Sequence, residues 1–312
     1  MRNVFIVLVL AGFLSGCGKP PLTGVSVDRE LLPYIPQNAQ ALLSIQLEKL
    51  KASDLYKRHL KDLDIPELNA LSERTGLDPR RDLTSLLAIW DGKQATFLAE
   101  GAFAPEQLQQ RIAGLGAKNT KYKTYTLIGG TGNSVAFVDR NLALSGPADV
   151  LRAALDRKAD GDGGLPQALE QRLKGVAKDA QIWEVSRGGL PLAIFPMRSD
   201  VQSTLSNFAG AISETTLGLR CDSGVHLQID VQCVSKEGAQ RVHDALRGLV
   251  GLARLTTNAS DMDLLRLWDA VHVDEDQEMV HVRADLSSGL TEKLFTYLPK
   301  VKSRAQQMVK PF

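Results

Sequence analysis

The chain has 312 residues, 44% apolar and 23% charged, with 37 basic and 36 acidic side chains. This is the composition of a folded protein long enough for two ordinary domains, which excludes a disordered chain. A formal net charge of +1 leaves no basic footprint for nucleic acid or for an anionic membrane surface.

Met1 and Arg2 are followed by an uncharged apolar run from Val4 to Leu14. A permanent membrane helix needs ~20 residues, so this shorter run reads as the apolar region of a secretory signal. It ends in Leu14-Ser15-Gly16-Cys17, which resembles the lipobox of bacterial lipoproteins. The resemblance implies that residues 1–16 are a cleaved signal peptide and that Cys17 is the lipid attachment site, its thiol joined to lipid as a thioether. It makes the membrane a partner through the anchor, and gives an address rather than an activity. Several acyl chains together hold a protein at a bilayer far better than one. Gly18 rather than aspartate follows the cysteine, which in a Gram-negative cell implies sorting onward to the outer membrane, facing the periplasm. Loss of Arg2 takes the 37 basic residues to 36, equal to the 36 acidic ones.

Residues 17–31, with Pro20, Pro21 and Gly24, read as a tether, and a first module spans 32–158. Ala41 to Leu47 reads as a buried strand, Ser53 or Asp54 as the cap of a helix, and Pro66 to Gly76 as a second helix. Strands at 83–90 and 95–103 meet at Asp91-Gly92, a hairpin signal, and Pro105 opens an amphipathic helix through Leu108, Ile112 and Leu115. Strands at 122–128, 134–138 and 142–145 precede a helix opened by Pro147. Asp160-Gly161-Asp162-Gly163-Gly164 is the most flexible-looking interior stretch and falls in a connecting segment, 159–178.

A second module, 179–312, repeats this order: a strand at 182–185, a helix at 200–212 with Val201, Leu205, Phe208 and Ile212 at helical spacing, and a hairpin around Asp222-Ser223-Gly224. A helix at 236–250, another hairpin and a helix at 290–298 complete it. Asn38-Ala39-Gln40 matches Asp179-Ala180-Gln181, and Gln110-Arg111-Ile112 matches Gln240-Arg241-Val242. Hairpins separated by helices predict an α+β fold of two similar halves, with mainly antiparallel sheets and helices packed on one face. The segment Ile35-Pro36-Gln37-Asn38-Ala39-Gln40-Ala41-Leu42-Leu43 is similar to the start of tandem-module bacterial envelope proteins of unassigned function, and that resemblance brings no catalytic residue.

Chemistry is sparse. Gly132-Asn133-Ser134-Val135-Ala136 approaches a nucleophile elbow, but Ser134 follows a glycine loop and precedes a strand, the reverse of what an elbow needs. Gly129-Gly130-Thr131-Gly132 lacks the lysine and helix of a phosphate cradle. A calcium loop starting at Asp160 would meet Gly164 and Gln171 where ligands belong. Cys221 and Cys233 lie on alternating strands too far apart to bridge and read as buried free thiols. A turn at Asp276-Gln277 would set His272 opposite His281 as a weak two-ligand metal site, short of the three or four that hold zinc durably. Trp90, Trp183 and Trp268 lie in or beside strand patterns, where burial explains them. No resident metal or cofactor is expected. The leading expectation is a non-catalytic envelope lipoprotein, a binding or scaffold protein with a protein or lipid partner; the competing one is an envelope hydrolase whose site assembles only in the fold.

Overall fold

A computed structural model describes residues 24–62, 64–130, 132–188 and 209–296. The signal peptide, Cys17 and most of the helix expected at 200–212 lie outside the described residues; of that helix, Ala209–Ala211 is a 3-10 turn and Ile212 already belongs to a strand.

The strands are β1 (Ala41–Ile45), β2 (Leu83–Trp90), β3 (Ala95–Gly101), β4 (Lys118–Tyr122), β5 (Tyr125–Gly129), β6 (Asn133–Phe137) and β7 (Leu142–Pro147), then β8 (Ile182–Arg187), β9 (Ile212–Cys221), β10 (Val225–Cys233), β11 (Val271–Asp276) and β12 (Met279–Leu286). The helices used below are α1 (Leu47–Ala52), α2 (Pro66–Thr75), α3 (Pro79–Asp82), α4 (Pro105–Gly114), α5 (Ala148–Asp160), α6 (Gln167–Leu173), α7 (Lys236–Leu255) and α8 (Met262–Asp269). A π-helical turn, Tyr56–Leu60, follows α1, entered where Ser53 Oγ accepts from Tyr56 N at 3.1 Å.

The architecture is α+β, as the hairpin pattern predicts, and its strands join into one sheet. Twelve strands run in the order β11-β12-β10-β9-β8-β1-β2-β3-β7-β6-β5-β4, every neighbouring pair antiparallel. The halves meet where β1 pairs with β8, Leu43 opposite Glu184. Outward from that seam, β1-β2-β3-β7-β6 in one half corresponds to β8-β9-β10-β12-β11 in the other, and the first half adds the β4–β5 hairpin at its edge.

Alternation along each strand divides the sheet into two faces. On face A of the first half, Leu42, Leu87, Leu98, Leu144 and Ala136 pack beneath Leu151 and Leu155 of α5, Leu169 and Leu173 of α6, and Leu31, Tyr34 and Ile35 of the N-terminal segment. On face B, Leu108 of α4 covers Ile128, Phe137 and Ala143, while Ala239 and Val242 of α7 cover Val231, Val273, Val280 and Val282. Among the described residues helices therefore lie on both faces of the first half, while in the second half α7 lies on face B and face A is covered only at β8, by α6. Leu50 and Leu55, following β1, pack on Cys221 at the far end of β9, so the halves also share a small core.

Two boundaries differ from expectation. The body starts by Gly24 rather than Leu32: Val27 and Leu31 are core residues, and a Cβ on Gly24 would meet the Leu173 carbonyl at 2.0 Å. The glycine-rich stretch near Asp160 is packed rather than loose, because Gly161 ends α5 in the left-handed conformation (φ +76°) and a Cβ on Gly163 would sit 1.9 Å from the Pro33 carbonyl. The connecting segment contains α6, whose leucines belong to the main core.

Candidate functional site

Beyond β8, where α6 and the segment after it cover Trp183 and Val185, face A of the second half carries no helix among the described residues, and its polar strand positions stand there in ordered rows. Along β10 they are His226, Gln228, Asp230 and Gln232; along β12, His281, Arg283 and Asp285; along β9, Glu214, Thr216, Gly218 and Arg220. Strand pairing sets Asp230 opposite both Thr216 and His281, and Gln228 opposite both Gly218 and Arg283.

Two charge clusters result. Asp230, with its side chain 17% exposed, accepts from His281 Nδ1 at 2.6 Å, Arg283 Nη2 at 2.5 Å and Gln228 Nε2 at 2.7 Å. Burial alone would raise its pKa, but these bonds together outweigh burial and hold the carboxyl below its ordinary range. An ionised carboxylate only accepts, so Nδ1 of His281 carries the proton. In the second cluster His226 stands between Asp285 (Nδ1 to Oδ1, 2.7 Å) and Asp222 (Nε2 to Oδ2, 3.4 Å), and Arg220 reaches Asp222 at 3.4 Å and Asp179 at 3.3 Å. Asp222 is held low chiefly by the Gly224 amide, against burial, with His226 adding to it. Between the clusters is a depression of ≈ 160 Å³ that includes Gly218, over which Val176 and Ala180 lean from the segment after α6.

The histidine pair expected from sequence does not form. The β11–β12 turn is Gln277-Glu278, one residue later than predicted, with Gln277 at φ +58°. His272 consequently stands opposite Arg283, and His281 opposite Asp274. Among the described residues no group of three or more histidine, cysteine or acidic side chains could hold a metal.

Among the described residues the groups that hydrolysis would need are not brought together. His281 and Asp230 form a base-orienter pair, but among the described residues no hydroxyl or thiol bonds the imidazole. Cys221 and Cys233 are buried free thiols on face B, pushed up by burial, Cys221 to about 11. Ser134 is buried within β6, with no helix after it. Trp183 is buried, Trp90 half-buried at the end of β2, and Trp268, expected beside a strand, is in α8 with its Nε1 donating to Thr257 Oγ1 at 3.0 Å.

Sequence reasoning also missed a buried titratable group. Glu184 is fully buried on face B of β8, between Leu43 and Leu217. Burial pushes its carboxyl up to about 8, held back only by nearby Ser186. Ser186 Oγ itself reaches toward the Gly188 carbonyl at 3.5 Å, and among the described residues neither carboxyl oxygen closes a hydrogen bond. A glutamate inside an apolar strand was the available signal. For Asp230, Arg283 and Asp285 it was the unbroken polar parity of β10 and β12.

No protein-family model matches the chain, and no curated protein sequence matches it. Among solved structures it is similar to crystal form III of TP0453, with a TM-score of 0.50 at 12% identity, covering 87% of this chain and 99% of that one. Crystal forms I and IV of TP0453 give TM-scores of 0.48 and 0.47 at 11% and 13% identity, covering 87% and 88% of this chain and 98% and 97% of theirs. The likeness to form III is one of fold.

Proposed function

We propose that this chain is a non-catalytic lipoprotein of the bacterial cell envelope, anchored through lipid on Cys17, whose body binds another protein through the open polar face of its second half. The observation that carries this reading is the asymmetry of that half: α7 seals face B, while face A carries ion pairs already held in place by neighbouring strands. Charges fixed before association lose little freedom on binding and select partners by complementarity. A small-molecule site would call for an enclosing pocket of several hundred Å³, and a lipid site for an extended apolar groove; the depression on face A is only ≈ 160 Å³ and is rimmed by Arg220, Arg283 and Asp285.

The test is fractionation combined with cross-linking in intact envelopes. The wild type should sediment with membranes and capture a discrete partner, Cys17→Ala should move to the soluble fraction, and Gln228→Lys should stay membrane-bound but lose the partner. A Cys17→Ala protein that remains with membranes overturns the anchor. An unchanged partner set for Gln228→Lys overturns the binding face.

A further inference from the structure

Among the described residues the sheet ends in two strands that have a neighbour on one side only. Strand β4 pairs with β5 and β11 pairs with β12, and among the described residues the outward backbone groups of both strands bond nothing. A free edge is a template for another strand, and proteins commonly place charges there to block it. These two edges carry opposite charges. β4 reads Lys118-Asn119-Thr120-Lys121-Tyr122, and β11 ends Asp274-Glu275-Asp276. Lys118, Lys121, Asp274 and Asp276 make no ion pair among the described residues, and Glu275 has only His243 nearby, at 3.8 Å. Like charge prevents either edge from pairing with its own kind, and opposite charge leaves the cross-pairing open.

The strand count fits. In an all-antiparallel sheet of twelve strands the two outermost run in opposite directions. A second copy placed beyond β4 by translation therefore presents its β11 antiparallel to β4, with face A continuing as face A. In the register that sets Lys118 opposite Asp276, Lys118 is also diagonal to Asp274, and Lys121 is diagonal to Glu275, all within reach of long side chains.

We propose that copies of this chain associate head to tail, the acidic edge β11 of one adding to the basic edge β4 of the next, in an open-ended heterologous assembly. The inference stands on the edges alone and does not depend on the partner proposed for face A.

The test uses the full chain in detergent, followed by sedimentation velocity over a wide concentration range. The wild type should form a series of species that grows with concentration. Lys118→Glu/Lys121→Glu gives a protein with two acidic edges, Asp274→Lys/Glu275→Lys/Asp276→Lys one with two basic edges, and each alone should associate about tenfold more weakly or worse. Mixed in equal amounts, the two variants again offer opposite edges and should recover assembly, which also proves both are folded. A wild type monomeric at every concentration overturns the proposal, as do variants that assemble like the wild type or a mixture that stays monomeric.

Discussion

Glu184 makes stability fall with rising pH, and the size of the effect follows from its burial. In the folded chain its carboxyl ionises at about 8, against 4.5 for the ordinary group. Between those values the folded state keeps a proton that the unfolded state has released. Its contribution is therefore fully present below pH 4.5 and is lost as pH rises through about 8. At ~1.4 kcal/mol per pH unit, the wild type should lose roughly 3 to 4 kcal/mol from this one group between pH 5 and pH 8. Glu184→Gln keeps the shape and cannot ionise, so its stability should lack that component and exceed that of the wild type most at the alkaline end. Urea unfolding of both proteins at several pH values in this range measures the difference directly. Parallel pH profiles for the two proteins would refute the reasoning, because they would mean that Glu184 sheds its proton equally easily in both states.

Other outcomes follow from the same packing. Asp230→Asn should cost about 2 kcal/mol at neutral pH, since it strips the counter-charge from His281 and Arg283. Because the Asp230 carboxyl is held low, that contribution is present above the ordinary carboxylate range and disappears as pH falls through its folded value, so the gap between the proteins should close in acid. Gly163→Ala, which sets a Cβ on the Pro33 carbonyl, should cost more than ~2 kcal/mol or prevent folding, whereas a loose linker would tolerate it; a thermal melt decides. Cys221 and Cys233 should resist a thiol reagent in the native chain and react on unfolding, and rapid native labelling would contradict their burial.

Local chemistry was the legible part of the sequence. Asp222-Ser223-Gly224 between two alternating runs predicts both the β9–β10 hairpin and its register, with Cys221 opposite Val225. The β11–β12 turn was misplaced by one residue because Asp276, Gln277 and Glu278 include no glycine or asparagine to mark the left-handed position, which Gln277 takes instead. That slip moved His272 away from His281. Asp230 meets His281 through the separate β10–β12 pairing, which joins residues 51 positions apart in the chain and leaves no local mark in the sequence. β4 was missed because Lys118-Asn119-Thr120-Lys121 is an exposed edge and has no apolar alternation to betray it. The joining of both halves through β1 and β8 was beyond local reading, since both strands are apolar and the pairing links distant segments. The same apolar context concealed Glu184: Ile182 to Val185 was correctly read as a buried strand, and burial is what makes its carboxyl unusual.

The central claim, a lipid-anchored body that binds a protein through face A, is tested most directly by a photoreactive residue at position 228 in living cells, with Leu115 as an exposed control elsewhere on the surface. A discrete adduct should form from position 228, be absent from position 115, and vanish when Cys17→Ala releases the chain from the membrane. No adduct at 228, or the same adduct from both positions, would contradict the account.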